Sequence, residues 1–160
     1  MLALRPAVSA DVPLILELIR ELALYERAPE QVTATEADLL RDGFGPSPRF
    51  RCLIASWDSA PAGFAFFFSN YSTWQGRAGL YLEDLFVRPQ FRKLGIGKAL
   101  LLELARTAVR EGCGRFQWQV LDWNTPAIAF YESLGARALK DWLTMRVEGD
   151  ALAQMAGGPR

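Results

Sequence analysis

Basic residues and glycines gather in one short stretch of the sequence, residues 86–105. They surround the start of an apolar-periodic segment and are Arg88, Arg92, Lys93, Gly95, Gly97 and Lys98. A helix N-terminus presents unpaired N–H groups and the positive end of the helix dipole, and glycine lets an anion approach the backbone closely. The pattern is therefore typical of a phosphate site. It fits equally well a solvated turn before an amphipathic helix.

Two common phosphate-binding motifs do not match this stretch. A P-loop here needs glycine at position 92 and serine or threonine at position 99, where the chain has Arg92 and Ala99. A dinucleotide-binding turn needs glycine or alanine at position 100, which is Leu100. A phosphate site in this stretch therefore has to be of another kind.

A pair of adjacent carboxylates, Glu83 and Asp84, is the second candidate for chemistry. Both lie inside the apolar segment GLYLEDLFV at 79–87, which predicts a β-strand. A strand points successive side chains to opposite faces unless a bulge intervenes. The pattern therefore indicates that one of the two carboxylates enters the interior.

The absence of histidine from the chain excludes several kinds of catalysis. Ser-His-Asp and Cys-His catalysis and the HExxH metalloprotease site each lose an essential member. An acid or base must therefore be Glu, Asp, Tyr, Lys, Cys or water. Cys52 and Cys113 lack the paired spacing of a disulfide framework or a zinc site, so we expect no metal.

Charge and hydropathy predict the class of protein. The net charge is zero and the pI is about 6.3, which argues against a nucleic-acid partner. No apolar run reaches the roughly 18 residues of a membrane span, and the N-terminal segment does not resemble a signal peptide. We therefore predict a cytoplasmic protein with a single domain over 1–156 and a disordered tail at 157–160.

Helical segments are predicted from apolar spacing and capping residues. Ser9 is expected to cap the first helix, Thr35 to begin a second helix that Gly43 stops, and Thr125 to cap a helix that runs to Gly135. The first helix has an apolar face of Val12, Ile15, Leu16, Ile19, Leu22 and Ala23. The helix after position 95 has an apolar face of Ile96, Leu100, Leu101, Leu104 and Ala108.

Strands are predicted at 4–6, 50–57, 62–71, 79–87 and 115–123, and one or two more within 136–148. The second and third of these form an expected hairpin. Later strands alternate with helices, so the order predicts an α/β domain with a partly antiparallel sheet.

Two segments resemble the signatures of one enzyme family. Arg92-x-x-Gly95-x-Gly97 is similar to the pyrophosphate-binding signature of the GCN5-related N-acetyltransferases (GNAT), and NTPAIAFYESLGA at 124–136 resembles their second hallmark. The likeness covers nearly the whole chain to about Gly135 and is closer to the diamine (spermidine/spermine) or thialysine branch. It implies a mixed, splayed, seven-stranded sheet flanked by about four helices, with acetyl-CoA in the gap as cosubstrate and no metal.

The resemblance also assigns residues to roles. It implies that the coenzyme contacts Leu85, Phe86, Val87, Arg92, Lys93, Leu94, Gly95, Ile96, Gly97, Asn124 and Tyr131. Tyr131 matches the acid that protonates the departing thiolate, and Glu83 matches a carboxylate that is either the base or the group that orients the ammonium. The acceptor pocket implied by the resemblance consists of Tyr25, Glu26, Glu83 and Asp84, with Trp74 and 117–119 nearby.

The activity implied by the resemblance is transfer of an acetyl group to a primary amine of a small cationic acceptor. Polyamines, diamines and thialysine-like amino acids all remain open, with direct attack in a ternary complex. The alternatives are acetylation of protein N-termini or lysines, and a non-catalytic acyl-CoA-binding protein. Relatives in this branch imply a homodimer.

Overall fold

The computed structural model describes residues 1–157. The chain divides into two compact units, Met1–Gln119 and the part from Val120 onward. The single domain over 1–156 stays a prediction. The predicted tail at 157–160 lies, apart from Gly157, outside the described residues.

The first unit contains five strands and three α-helices. In chain order these are β1 (Leu2–Pro6), α1 (Val12–Tyr25), α2 (Glu36–Phe44), β2 (Arg51–Trp57), β3 (Ala60–Ser72), β4 (Arg77–Val87), α3 (Ile96–Arg110) and β5 (Phe116–Trp118). The second unit contains α4 (Thr125–Ser133) and α5 (Gly149–Met155). Short 3₁₀ turns at Ser9–Asp11, Pro29–Gln31 and Pro89–Phe91 join some of these elements.

The strands form one mixed sheet in the order β1-β2-β3-β4-β5. The first four are antiparallel, and β5 pairs parallel to β4 across Leu80–Leu82. The α3 helix makes the crossover that a parallel pair needs. Among the described residues, β4 has no strand partner on its β5 edge from Glu83 onward.

The predicted sheet of seven strands is wrong in number, since the described residues form five. The strand expected at 115–123 is only three residues long, and 136–148 contains no strand. Trp142, Leu143 and Met145 in that segment are 71%, 83% and 88% exposed. A strand needs a neighbouring strand to supply its hydrogen bonds, and no strand pairing that involves this segment is present among residues 1–157. The predicted four helices become five, because α5 follows the segment.

The helices bury the faces that their apolar spacing predicts. All five residues of the predicted α3 face are buried. On α1, Val12, Ile15, Leu16 and Leu22 are buried as expected together with Leu18, whereas Ile19 and Ala23 are only half-buried. The α1 residues pack in one cluster with sheet residues that include Cys52, Ile54, Phe64 and Phe86.

Three of the predicted helix boundaries need correction. Ser9 lies in a 3₁₀ turn and does not cap α1. The Asp11 carboxylate instead accepts a hydrogen bond from the Val8 N–H and two more, at 2.7 and 2.8 Å, from the Arg5 guanidinium. A charge-assisted bidentate pair outcompetes a serine cap. The α2 helix is capped by Thr35 as predicted, but it continues through Gly43 to Phe44.

The third correction concerns α4, whose N-cap is Asn124 rather than Thr125. The Asn124 carbonyl oxygen accepts a hydrogen bond from the Ala127 N–H at 3.4 Å. Thr125 is the first helical residue. The helix ends at Ser133 with Leu134 as its C-cap, and Gly135 follows with a φ of +95°, which confirms the glycine predicted to terminate it.

Arg88, directly after β4, links the end of this strand to α1 by ion pairs. Its side chain is only 15% exposed, donates to Glu21 at 2.7 and 3.1 Å and to the Pro61 carbonyl at 3.1 Å, and pairs with Glu17. Charge-assisted bonds to a shielded guanidinium are among the stronger hydrogen bonds in proteins. Arg88 therefore fixes the start of the loop that follows β4.

No helix within residues 1–157 combines the length and the apolar character needed to cross a membrane.

We expect Gly63→Ala to lower the free energy of unfolding by about 1–3 kcal/mol, measured by chemical denaturation. A Cβ on Gly63 would lie 2.3 Å from the Phe86 carbonyl oxygen and 3.1 Å from the Val87 Cα, so β3 and β4 would have to separate. Gly97→Ala is the control, because its Cβ has no neighbour closer than the Val87 Cγ2 at 3.8 Å. Equal stability of the two variants would contradict the close approach of the strands.

Candidate active site

A bulge in β4 controls where its two carboxylates point. Asp84 pairs with Phe66 and Leu82 pairs with Phe67, so Glu83 has no partner on β3. Because Phe66 and Phe67 face opposite sides of the sheet, Leu82 and Asp84 also do. The predicted entry of one carboxylate is therefore confirmed, and the residue that turns inward is Asp84.

Asp84 lies in a row of side chains on the α1 face of the sheet. Cys52, Phe66 and Asp84 are in register across β2, β3 and β4, and Cys52 belongs to the cluster that α1 covers. Asp84 is half-buried, and its carboxylate accepts no hydrogen bond and forms no ion pair within residues 1–157. Burial raises the pKa of Asp84 to about 7, and the neighbouring charges of Glu83 and Glu26 add to the shift.

Glu26 and Glu83 complete an acidic cluster with Asp84. Glu26 is the C-cap residue of α1, directly after Tyr25, and burial raises its pKa. Glu83 is exposed at the bulge. A carboxylate cluster whose members repel one another favours an added cation, because the cation relieves the repulsion. We call Glu26, Glu83 and Asp84 the acidic cluster.

The basic and glycine-rich segment forms a loop and the first turn of α3. Lys93 and Gly95 have φ values of +64° and +78°, and glycine takes this left-handed conformation without strain. The first intrahelical bond runs from the Ala99 N–H to the Gly95 carbonyl at 2.9 Å. The N–H groups of Ile96, Gly97 and Lys98 therefore precede the helical ladder and can bind an anion.

The side chain of Arg92 is directed toward the sheet and α1. Its Nε donates to the Val87 carbonyl at 2.9 Å, and its guanidinium carbon lies 4.7 Å from the Tyr25 ring centroid and 5.7 Å from that of Phe86. Tyr25, expected in the acceptor pocket, is thus a neighbour of the loop residue Arg92. The sequence did not predict this contact or the ion pairs of Arg88 with α1, because both join residues that are far apart in the chain.

The other two predicted site residues lie in the second unit. Asn124 caps α4, and Tyr131 lies in its last turns with its ring centroid 5.6 Å from that of Phe130. Trp74 is 91% exposed in the turn between β3 and β4. Gln117 accepts a hydrogen bond from Asn70 at 3.4 Å. Trp74 therefore does not line the acidic cluster, which lies beyond the middle of β4.

Two other kinds of chemistry find little support in the structure. Within residues 1–157, no group of three or more Cys, Asp and Glu side chains is arranged to hold a metal ion. Burial raises the pKa of Cys52 to about 12, so its thiol is a poor nucleophile at neutral pH.

Comparison with known proteins gives the family. The model of the acetyltransferase (GNAT) family matches residues 15–136. The thialysine N-epsilon-acetyltransferase of Sus scrofa is 41% identical over 165 residues, covering 96% of each chain. The L-ornithine N5-acetyltransferase of Arabidopsis thaliana is 32% identical, covering 93% of this chain and 85% of that protein.

Solved structures share the fold. An integron cassette protein from the mobile metagenome of V. cholerae superposes with a TM-score of 0.81 and 25% identity, covering 97% of both chains. A metagenomic aminoglycoside acetyltransferase gives a TM-score of 0.77 at 18% identity, covering 92% of this chain and 95% of that one. Family match, relatives and fold agree, and the chain belongs to the acetyltransferase (GNAT) family.

Proposed function

We propose that this acetyltransferase moves an acetyl group from acetyl-CoA to a primary amine of a small cationic acceptor, namely a polyamine, a diamine or a thialysine-like amino acid. The observation that carries the proposal is the acidic cluster, built on the bulge of β4 next to the anion-binding turn of α3. A cationic substrate and an anionic cosubstrate suit these two neighbouring sites. The names of the relatives support the amine acceptor.

The anion-binding turn is the proposed site of the coenzyme diphosphate. Backbone N–H groups over Lys93–Gly97 bind it, and Arg92 contributes its side-chain charge, because the Arg92 N–H is already bonded to the Pro89 carbonyl. A Cβ on Gly97 would have no neighbour closer than the Val87 Cγ2 at 3.8 Å, so the space beside the turn is open. The edge of β4 at Leu85, Phe86 and Val87, which has no strand partner on this side among residues 1–157, offers main-chain groups to the pantetheine and acetyl end, although the Val87 carbonyl already accepts the Arg92 Nε–H. Free backbone groups on a strand edge pair readily with an extended ligand. Asn124 is a further proposed coenzyme contact.

The acidic cluster is proposed to bind the amine and accept its proton. A primary amine has a pKa near 10.4 and arrives as an ammonium ion, so a proton must leave before attack. A base works best when its pKa lies near the working pH, and Asp84, with a pKa of about 7, meets this condition. We therefore assign proton acceptance to Asp84, and to Glu83 the orientation of the ammonium, with Tyr25 and Glu26 completing the pocket.

The chemical step is proposed as direct attack of the neutral amine on the thioester carbonyl in a ternary complex. Backbone N–H groups near Leu85 stabilise the oxyanion that develops. Tyr131 protonates the departing thiolate. An acetyl-enzyme on Cys52 is disfavoured by the buried, protonated state of that thiol.

The proposed setting of the enzyme is a cytoplasmic homodimer without a membrane or nucleic-acid partner. The exposed apolar residues Trp142, Leu143 and Met145 support a contact between copies, because an apolar patch of this kind is unusual on a monomer surface. The zero net charge supports the absence of a nucleic-acid partner.

A thiol-release assay with acetyl-CoA tests the function. We expect turnover with spermidine, putrescine or thialysine and less with peptides that present an N-terminus or lysine. Tyr131→Phe should lower kcat at least about tenfold while acetyl-CoA binding changes little, because general-acid catalysis contributes about 10²–10⁴-fold. Acetyl-CoA binding without turnover on any amine would favour the non-catalytic alternative. Preference for peptides would favour the protein acetyltransferase.

Two substitutions at position 97 that differ only in charge test the proposed diphosphate site. Gly97→Asp places a carboxylate at the N-terminus of α3, where it stabilises the helix by about 0.3–1 kcal/mol but repels a diphosphate. Gly97→Asn has nearly the same size without the charge. We expect Gly97→Asp to bind acetyl-CoA about tenfold or more weakly than Gly97→Asn in calorimetry, with no loss of thermal stability. Equal affinities would remove the diphosphate from this turn.

The pH dependence of kcat/KM tests the role of Asp84. Because the base must be ionised, kcat/KM should rise with pH through about 7, and Asp84→Asn should lose this rise. The raised pKa also means that the folded protein loses stability as pH rises from about 4 through 7, since ionising Asp84 costs free energy. Asp84→Asn should therefore be more stable than the parent at pH 8 and nearly equal to it at pH 4.

Matched variants separate Asp84 from its neighbours. Glu83→Gln and Glu26→Gln should raise KM for the amine and keep the rise in kcat/KM, shifted to lower pH because one repelling charge is gone. A rise that survives in Asp84→Asn and disappears in Glu83→Gln would return the role of base to Glu83.

A further inference from the structure

Two arginines of the loop after β4 reach the same helix. Arg88 binds Glu17 and Glu21 in the body of α1, and Arg92 lies against Tyr25, the last residue of α1. The Arg88 guanidinium is shielded from solvent, and its ion pairs with Glu17 and Glu21, together with the apolar face of α1, hold α1 on the sheet. The Arg92 contact lies elsewhere, directly at the start of the anion-binding turn.

The geometry at Arg92 is that of a guanidinium fixed on three sides. Tyr25 and Phe86 present their rings at 4.7 and 5.7 Å, and the Val87 carbonyl accepts the Nε–H at 2.9 Å. Phe86 and Val87 belong to β4, whereas Tyr25 belongs to α1. Tyr25 is therefore the contact that ties the orientation of Arg92 to α1.

The loop that follows Arg92 depends on this side chain for its position. Lys93 adopts a left-handed backbone, which a residue with a side chain enters at a cost in free energy. The Arg92 N–H bonds back to Pro89 at 3.2 Å, and the next backbone bond in the segment is the first of α3, from Ala99 to Gly95. Because this turn is strained and forms few backbone hydrogen bonds, we infer that the side-chain contacts of its first residue, Arg92, hold its position.

We propose that Tyr25 is a positioning residue for coenzyme binding, which acts by stacking on Arg92 and so holding the N–H groups of the anion-binding turn in place. The inference rests on the proposed function for the identity of the coenzyme. It gives Tyr25 a second role, toward the coenzyme, beside its proposed place in the acceptor pocket. It also makes α1 the element through which the acceptor side and the coenzyme side are coupled.

The test is a double-mutant cycle on the dissociation constant of acetyl-CoA. Calorimetry compares the parent with Tyr25→Phe, Tyr25→Ala, Arg92→Gln and the double variant Tyr25→Ala/Arg92→Gln. A cation–π contact at a partly exposed site corresponds to about a twofold to fivefold change in affinity, so Tyr25→Ala should bind acetyl-CoA weaker by about that factor. Tyr25→Phe keeps the ring and should restore parental affinity. The double variant should bind no weaker than Arg92→Gln, since Gln has no positive charge to place over the ring.

Tyr71→Ala is the matched control, because Tyr71 is also an exposed tyrosine but lies on β3 away from the loop. It should leave the affinity for acetyl-CoA unchanged. A Tyr25→Ala variant with parental affinity for acetyl-CoA and a raised KM for the amine alone would overturn the proposal. Additive losses in the double variant would do so too.

Hydrogen exchange of the ligand-free protein decides the proposal independently of the coenzyme. The amides of 99–101, which form the first hydrogen bonds of α3, should exchange faster in Tyr25→Ala than in the parent and in Tyr25→Phe, while the amides of α1 near Glu17 keep their protection. Unchanged exchange at 99–101 would overturn the positioning role. If the parent protein fails to bind acetyl-CoA, the proposed function fails, and the exchange rates still decide the role of Tyr25.

Discussion

The extra residue in β4 is the constraint on which the candidate site depends. Up to Leu82 the strand alternates in step with β3, and after Glu83 the alternation is reversed, so Asp84 turns to the α1 face. Without that residue, Asp84 would face the opposite side of the sheet, away from Glu26 at the end of α1. The bulge coincides with the point where β5 stops pairing with β4. One irregularity therefore builds the acidic cluster where the free strand edge begins.

The acidic cluster lowers the stability of the folded protein. A half-buried carboxylate without a hydrogen-bond partner among residues 1–157, beside two like charges, destabilises the fold whenever it is ionised. The neighbouring interactions offset this cost, since α1 packs its apolar face on the same side of the sheet and Arg88 ties α1 to the end of β4. Strain of this kind is typical of functional sites, where a group is held in a state that its surroundings disfavour.

The parts of the fold that could be predicted from sequence are those with a local cause. The face of α3 was predicted correctly because apolar residues at helical spacing have one face to bury. The start of α2 near Thr35 was predicted correctly because the bond that caps it, from the Asp38 N–H to the Thr35 hydroxyl, is local. The prediction that Ser9 caps α1 was wrong because the Asp11 carboxylate, bonded by Arg5, takes part in the turn before α1 instead. The prediction of strands within 136–148 was wrong because a strand forms only beside another strand with which it can pair. The sequence placed two carboxylates together, but only the register with β3 determines which one turns inward.

The arrangement of charges explains why α1, far from the glycine motif in sequence, belongs to the site. An acidic cluster disfavours an anion bound nearby, so positive charge at the turn of α3 favours an anionic ligand there. Arg92 supplies such a charge, and it contacts Tyr25, the neighbour of Glu26, and Phe86, two residues after Asp84. Aromatic faces accept a guanidinium without neutralising it. The charge of Arg92 therefore remains available to an anion at the turn, and Tyr25 links that charge to α1.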